Sequence, residues 1–551
     1  MPAALLVRAD AGSQIGTGHL MRSLALARAW QSAGGRVTFV SRCDVESLRE
    51  RIRASGARLA SLGHPHPDPA DLAVTLALLA EAKSENAPPA STWVVLDGYQ
   101  FDSSYQQAVR DAGARLLVID DVAHLGQYHL DVLLNQNLGA QRLDYTCDPD
   151  TVLLLGCHYA LLRPEFQRWT SFQRVISKSV RRLLVTLGGA DPDNLTGTVV
   201  VALARLDLPQ LEVKVLVGSA NPHLETLRRQ IRHHPEGTRP QIEMLTEVSD
   251  VPELMAWADL AVSAAGCTCW ELAFMQLPAV LLVLADNQEP IARQVSAAGA
   301  ATSLGRAERL TADAIVEALW KVCQGRRRRV NQSQAGRRLV DGRGAQRVVA
   351  VMQALEDTLP ADQVTLRPAT AEDAVPLWRL ANDPAVRRAG LASADPIPLQ
   401  SHVRWFKRRL ASPGSCIWVL DFRGLLLAQV RYDQTDAQTA EIAISVAPAF
   451  RRRGLATRLL ETTCQRACRR LGVRRLRAII RQENLPSARA FAKAGFTKVD
   501  SRSLQNHSCH VFDFHKAATG VRAQRRDRRS RMENRPAVAH KRRDQRSRLY
   551  E

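Results

Sequence analysis

The sequence predicts an α/β protein: a pair of doubly wound parallel-sheet domains, then a smaller α+β module, then a basic tail. Three observations carry that expectation. The 551 residues exceed what one hydrophobic core supports, and length alone suggests about three to four domains. From residue 1 to about 345, short apolar runs alternate with helical stretches, the signature of parallel strands covered on both faces. After Thr358-Leu359-Pro360-Ala361-Asp362 the text changes to a smaller module that ends near His515. The expected boundaries are 1–165, 166–357, 362–516 and 517–551.

In chain order, strands are expected at Ala3 to Arg8, Arg36 to Val40, Trp93 to Leu96, Leu116 to Ile119 and Val132 to Leu134. A polar, aromatic stretch around Leu162 to Arg181 interrupts the pattern, which restarts as LLVTLGGADPDN. The second set follows at Leu183 to Leu187, Glu212 to Val217, Leu260 to Ser263 and Ala279 to Leu284. Ligands of such sheets bind beyond the carboxyl ends of the strands, so a cleft between the two halves is the expected site.

Composition narrows the classes. The apolar run in MPAALLVRADAGS is too short for a signal peptide, and Leu277 to Ala285 falls short of the ~20 residues that span a bilayer, so a cytoplasmic protein without a membrane span is expected. Ten scattered cysteines, with no C-x-x-C or Cys/His cluster, suggest neither a zinc site nor a disulfide framework. Of the formal net charge of +20, +9 sits in the tail, where Lys516 to Glu551 carries 13 basic and four acidic residues. With Tyr550 as its one aromatic, that tail reads as disordered and solvated, without the stacking partners of a single-strand binder, and no specific nucleic-acid partner is expected. His64 and His66 in GHPHPDP could chelate, but a solvated loop is the plainer reading and no metal is expected.

The residues that suggest chemistry lie at the expected strand ends. RADAGSQIGTGHLMRSLALAR, Arg8 to Arg28, runs from a strand through Gly16-Thr17-Gly18 into an amphipathic helix and delivers His19 to its first turn. A helix N-terminus attracts phosphate or an attacking water and disfavours protonation of an imidazole, so His19 is expected as a neutral base; alternatively, the glycines only tighten the turn and His19 caps it. Asp97-Gly98-Tyr99 and Asp120-Asp121 leave strands with carboxylates, and Asn135-Gln136-Asn137 offers amides for sugar hydroxyls, although such residues also serve loop backbones. In the second half Gly188-Gly189 follows a strand, and Ala264 to Glu271 (AAGCTCWE) opens a helix where small residues let backbone amides approach a phosphate and Glu271 can accept from ribose hydroxyls. Asn287-Gln288 adds two amides.

IGTGHLMRSLALA, DGYQFDSSY, DDVAHLGQYHLDVLLNQN, YALLRPEF, LGGADPDN, AGCTCWELAFMQLP and ADNQEP, in that order, resemble the UDP-sugar hydrolase family of pseudaminic acid biosynthesis, a GT-B relative that cleaves UDP from 2,4-diacetamido-2,4,6-trideoxy-β-L-altrose. The resemblance covers residues 1 to about 345. It implies a GT-B-like pair of domains, His19 as the base that activates water, and UDP held by the second domain. Gly266, Thr268 and Glu271 would hold the nucleotide, while Asn287 and Gln288 reach sugar or phosphates and Asn287 takes part in catalysis. Gly16, Gly18, Arg22, Asp97, Tyr99 and Gly189 complete the expected substrate-binding set. Cys267 stands where the family has serine or glycine.

In the third segment, Glu441 to Pro448 (EIAISVAP) alternates as a strand, and Arg451-Arg452-Arg453-Gly454-Leu455-Ala456 opens a helix that continues to about Leu471. Uncovered N–H groups beside arginines suit a pyrophosphate; a solvated basic helix start is the alternative. VTLRPA with Glu372-Asp373, R-x-x-G-x-A, Asn484-Leu485-Pro486-Ser487-Ala488 and Ala494-Gly495-Phe496 together resemble the GNAT acetyltransferase family over residues 362 to 516. The resemblance implies acetyl-CoA as cosubstrate. Its pyrophosphate would lie on Arg451, Arg453, Gly454 and Ala456, its pantetheine along Ile444 and Val446, and Asn484 close by. NDPAVRR, HVRWF and AEIAISVAP are similar to enzymes of that family that acetylate the 4-amino group of a UDP-linked altrosamine. Glu441 is the candidate base, acting through water, because a sugar ammonium must lose a proton before it attacks a thioester; alternatively it pairs with a neighbouring arginine. Phe491 stands where many GNAT enzymes have a tyrosine acid.

The expected function is therefore bifunctional: N-acetylation of a UDP-4-amino sugar, then hydrolysis of the product to UDP and free sugar. The same chemistry on another nonulosonate precursor epimer, or a hydrolase with an idle GNAT scaffold, are the alternatives.

Overall fold

The computed structural model describes residues 4–516 except 13, 14, 86–91, 190, 207, 209, 219, 220, 233–239, 247, 357, 358, 392–394 and 506. The basic tail expected at 517–551 lies outside the described residues.

Seven parallel strands form the first sheet: β1 (Ala4–Ala9), β2 (Arg36–Ser41), β3 (Arg58–Ser61), β4 (Trp93–Asp97), β5 (Arg115–Ile119), β6 (Val132–Asn135) and β7 (Val152–Leu155). Their order is β3-β2-β1-β4-β5-β6-β7. The order reverses between β1 and β4, where Ala9 pairs with Asp97 and Asp97 with Ile119, so the loops after β1, β4 and β5 leave the sheet at one level. The helix Gly18–Ser32 that follows β1 starts at this switch point.

The second sheet contains β8 (Arg182–Thr186), β9 (Glu212–Leu216), β10 (Gln241–Leu245), β11 (Leu260–Ala264), β12 (Ala279–Val283) and β13 (Thr302–Arg306), again parallel, in the order β10-β9-β8-β11-β12-β13. Its switch point lies between β8 and β11, so Gly188-Gly189 and Ala265 to Thr268 occupy the matching position. The chain forms a GT-B-like pair of Rossmann-type domains.

All nine expected strands are present, with ends within about one residue. Four others were not anticipated: β3, β7, β10 and β13, which are the edge strands of the two sheets. A central strand is buried on both faces and reads as an unbroken apolar run, whereas edge strands such as RLAS, QIEML and TSLGR are half-exposed and polar.

The third sheet is mixed: β14 (Val364–Pro368), β15 (Ser415–Phe422), β16 (Leu425–Gln434), β17 (Thr439–Val446), β18 (Arg475–Arg481), β19 (Thr497–Leu504) and β20 (His507–His515), in the order β14-β15-β16-β17-β18-β20-β19. Six pairs of neighbours exist, and only β17 with β18 is parallel. That pairing runs from Thr439↔Arg475 to Glu441↔Arg477 and then stops, so the two strands part along Ile442 to Val446. This is the GNAT-like sheet.

The helix Gly344–Glu356 joins the three units. It leaves the second domain, packs along the helix Gly18–Ser32, and shares one hydrophobic core with both the first sheet and the third. Trp93 Nε1 donates to Glu356 Oε1 at 2.5 Å, and Arg379 donates to the carbonyls of Gln141 and Leu143 at 3.1 and 2.8 Å.

Candidate active sites

His19 occupies the first turn of the helix Gly18–Ser32, whose N-cap Thr17 offers no side-chain bond and whose first turn holds no acidic residue. Gly16 adopts φ +78°, the left-handed conformation that glycine tolerates without cost, and a Cβ at Gly18 would meet open space. The imidazole Nδ1 lies 2.7 Å from Asp97 Oδ1, and 15% of the side chain is exposed. With Nδ1–H donating to the carboxylate, Nε2 is left as the proton acceptor.

Asp97 spends both carboxylate oxygens on side chains of its own domain. It is 1% exposed and receives Arg22 Nε at 2.8 Å, Arg22 Nη2 at 2.6 Å and Ser23 Oγ at 3.1 Å besides the imidazole. Burial would raise its titration point, but the Arg22 guanidinium and His19 outweigh it and hold the carboxyl far below the usual carboxylate range. Arg22 also reaches Asp121, Nη1 to Oδ2 at 2.6 Å, so its guanidinium bridges the two carboxylates.

Asp121 extends the network. It accepts from the Tyr99 hydroxyl at 3.0 Å and from Asn137 Nδ2 at 2.8 Å. Tyr99 in turn accepts from Asn287 Nδ2 of the second domain at 3.3 Å and lies edge-on to the His19 ring, 5.4 Å between centroids. Burial and Asp121 raise the Tyr99 hydroxyl above its ordinary value and keep it protonated. Asp97, Arg22, Asp121, Tyr99 and Asn287 therefore connect the imidazole to the facing domain. The Asn135, Gln136 and Asn137 amides are structural instead of sugar-facing: Asn135 donates to Tyr145, Gln136 accepts from Leu161 N–H and donates to Cys267 Sγ at 3.3 Å, and Asn137 holds Asp121.

The second domain closes over the start of the His19 helix. A Cβ on Gly189 would come within 2.5 Å of Thr17 Oγ1, and one on Gly218 within 2.5 Å of the Gly189 carbonyl oxygen, so these glycines permit the approach. Gly266 and Thr268 open the helix Thr268–Phe274. Gln288 accepts from Leu284 N–H at 3.0 Å, and its Nε2 lies 3.9 Å from where a Gly266 Cβ would sit. Glu271 receives Arg163 Nε and Nη2 at 2.7 Å each, and each oxygen keeps a second lone pair. Burial pushes the Cys267 thiol up to about 11, so it is neutral.

In the third unit the parting of β17 and β18 leaves the backbone of Ile444 and Val446 without a strand partner on that side. Glu441 sits at the last paired position, exposed. Arg477 opposite it gives its guanidinium to Asp513 at 2.9 and 2.8 Å, and Glu441 makes no ion pair among the described residues. Gly454 at φ +75° turns the chain into the helix Leu455–Leu471, whose first-turn N–H groups, Ala456 included, have no intrahelical partner.

Arg453 Nη1 donates to Ala354 O at 2.5 Å and Nη2 to Leu355 O at 3.3 Å, capping the helix Gly344–Glu356. Arg451 donates to Val446 O at 3.2 Å and to Asp383 Oδ1 at 2.6 Å. Asn484 spends its side-chain oxygen on Ser487 N–H as an N-cap. Phe491 is buried against Phe496. Asp121 stands out in the sequence only as a carboxylate at a strand end, and Asp383 as a partner, Thr17 as a contact and the Arg163 pair with Glu271 do not stand out at all. Pairings between residues a hundred positions apart leave no local signal.

Among the described residues no group of three or more His, Cys, Asp or Glu is placed to hold a metal, and no helix is long and apolar enough to cross a membrane. His66 sits on Asp71, Nδ1 to Oδ2 at 3.0 Å.

Two family models match this architecture. Residues 182–346 match the glycosyltransferase family 28 C-terminal domain, and residues 363–497 match the acetyltransferase (GNAT) domain. Particular relatives sharpen the first match. The chain is 28% identical over 246 residues to the spore coat polysaccharide biosynthesis protein SpsG of Bacillus subtilis, covering 44% of this chain and 71% of that one. It is 23% identical over 302 residues to the UDP-2,4-diacetamido-2,4,6-trideoxy-beta-L-altropyranose hydrolase of Campylobacter jejuni, covering 54% of this chain and 97% of that one. Among solved structures, MurG of Acinetobacter baumannii aligns with a TM-score of 0.47 at 17% identity, over 64% of this chain and all of that one.

Proposed function

We propose that the chain is a bifunctional nucleotide-sugar enzyme of pseudaminic acid biosynthesis, built from an N-terminal GT-B-like domain (1–165), a UDP-binding domain (166–357) and an N-acetyltransferase domain (362–516). The carrying observation is the Asp97–His19 pair at a helix N-terminus that faces the second domain through Tyr99 and Asn287. The similarity to the Campylobacter hydrolase supports the substrate, UDP-2,4-diacetamido-2,4,6-trideoxy-β-L-altropyranose.

In this reading His19 Nε2 takes a proton from water as the water oxygen bonds to the anomeric carbon, and the bond from that carbon to the β-phosphate oxygen breaks with its electron pair on UDP. UDP leaves as a stabilised anion, so the second carboxylate that a glycosidase needs for its leaving group is not required. Asp97 sets the tautomer and is a positioning residue. Gly189, Gly266, Thr268, Glu271 and Gln288 hold the nucleotide.

The GNAT unit precedes this step. Acetyl-CoA lies between β17 and β18 with its pyrophosphate on the N–H groups after Gly454; Glu441, through water, takes one proton from the sugar ammonium, the neutral amine attacks the thioester carbonyl, and the C–S bond breaks as the nitrogen's second proton passes to the departing sulfur, giving the amide and CoA thiol. Acetyl-CoA is a cosubstrate, the site needs no metal, and the reaction pair belongs to the cytoplasm. A second reading, an idle scaffold, draws on the engagement of Arg451 and Arg453 inside the protein.

The deciding assay supplies the UDP-4-amino sugar with and without acetyl-CoA and follows free UDP. Release that depends on acetyl-CoA is expected. Release without it breaks the order of steps, and a lack of acetyl-CoA binding in calorimetry establishes the scaffold.

A further inference from the structure

The loop after β5 carries a second imidazole that the mechanism above leaves unused. Asp120 is 1% exposed and fixed from three directions: Oδ1 accepts from the N–H groups of Val122 and Ala123 at 2.7 and 2.8 Å, and Oδ2 accepts from the Tyr128 hydroxyl at 2.5 Å. His124 Nδ1 lies 2.9 Å from the same Oδ2, and 29% of the His124 side chain is exposed. The ring stands edge-on to Tyr99, 5.9 Å between centroids, while His19 stands edge-on to Tyr99 at 5.4 Å. Tyr99 is thus flanked by two imidazoles, each beside a buried carboxylate at the end of a neighbouring strand.

The same loop exposes an apolar side chain. Val122 is 37% exposed, and Ile15, in the loop that leads to His19, is 42% exposed; both are among the few large apolar side chains uncovered in the described residues. Val122 is the next residue after Asp121, which holds Arg22 and Tyr99, and its own N–H is held by Asp120. A hydrogen-bonding imidazole and uncovered aliphatic carbon carried on one loop suit a sugar that has exchanged hydroxyls for methyl and N-acyl groups. A fully hydroxylated sugar would leave its polar groups against Val122 and Ile15 unpaired.

We propose that His124 and Val122 are the residues that select the sugar, His124 Nε2 accepting from an amide N–H or hydroxyl of an N-acylated deoxy sugar and Val122 covering its apolar edge. The proposal rests on the hydrolase reading above. His124 acts on binding and takes no part in the proton transfer assigned to His19.

The test measures UDP release from UDP-2,4-diacetamido-2,4,6-trideoxy-β-L-altropyranose, with inhibition by UDP alone, for the full chain carrying His124→Ala, His124→Gln or Val122→Asn. Expected for His124→Ala is a KM about tenfold higher, with kcat falling less than about threefold and the inhibition constant of UDP unmoved, since UDP lacks the sugar. His124→Gln, which keeps an acceptor, recovers most of the loss, and Val122→Asn raises KM about threefold. An unchanged KM, or a parallel weakening of UDP itself, overturns the proposal. If the wild type releases no UDP, the hydrolase reading falls on its own, and the same variants are compared by calorimetric affinity for this UDP-sugar against UDP. There a loss confined to the UDP-sugar upholds the selecting role, and an equal loss for both or for neither removes it.

Discussion

The cleft around His19 and the groove between β17 and β18 place their polar groups in opposite ways. In the cleft nearly every charge is already matched: Asp97 with Arg22 and His19, Asp121 with Arg22 and Tyr99, Glu271 with Arg163. In the groove the site consists of what is left unmatched, namely the free edge of β17, the N–H groups after Gly454, and Glu441. The first arrangement holds one imidazole in one tautomer. The second offers backbone donors and acceptors to a long extended ligand. Substitutions of matched groups should therefore disturb stability, whereas those of unmatched groups such as Glu441 should act on rate or binding alone.

The largest expected effect breaks the base. His19→Ala should lower the turnover of UDP-sugar hydrolysis by roughly 10²–10⁴-fold, about 3 to 5 kcal/mol of barrier, with UDP affinity within a few-fold of wild type by calorimetry. An unchanged turnover removes His19 from the mechanism.

Asp97→Asn sharpens the contrast because it touches rate and fold together. It removes one partner of a fully buried ion pair, a change that costs about 3–5 kcal/mol, and it releases the imidazole tautomer. Thermal unfolding should show a clear fall in Tm alongside lost turnover; an unaltered Tm would mean that Arg22 finds another partner. The pH dependence has a definite sign. The folded Asp97 carboxyl titrates below its unfolded value of about 3.9, so as pH falls the unfolded chain binds the proton first. Its stabilising contribution is complete above about pH 4 and drains away below it.

In the groove, Glu441→Gln should reduce acetylation roughly 10- to 100-fold near neutral pH, with part of the rate returning at high pH where the amine is already neutral, and with Tm unmoved. A rate insensitive to the change transfers the role of base elsewhere. The smallest effect belongs to Arg453→Ala, which uncaps the helix Gly344–Glu356 at a cost of about 1 kcal/mol and should leave the acetyl-CoA dissociation constant within about twofold. A much larger loss of acetyl-CoA affinity would return Arg453 to the pyrophosphate.

The two regions also differ in how far the sequence reveals them. Central strands are legible because burial on both faces forces unbroken apolar runs, and glycines at strand ends mark Gly16, Gly189 and Gly454 for the same physical reason, backbone that must turn or be approached. The edges β3, β10 and β13 are illegible because their composition resembles loop, whereas β7 is a short apolar run of four residues, VLLL. His19 could be picked out by its place at a helix start, but the roles of Asp97 and Arg22 could not: a carboxylate after a strand looks the same whether it meets a ligand or a guanidinium 75 residues away. Arg453 misleads for a related reason, since the carbonyls it caps lie 99 residues upstream, at the end of a helix whose docking only the tertiary fold defines.

The central claim is that His19, oriented by a buried carboxylate, directs water to the sugar carbon while the opposite domain retains the nucleotide. Hydrolysis in ¹⁸O-enriched water tests it most directly, by mass analysis of both products. The account predicts the heavy oxygen on the anomeric carbon of the released sugar and none in UDP; label on the β-phosphate would place the attack at phosphorus and contradict it.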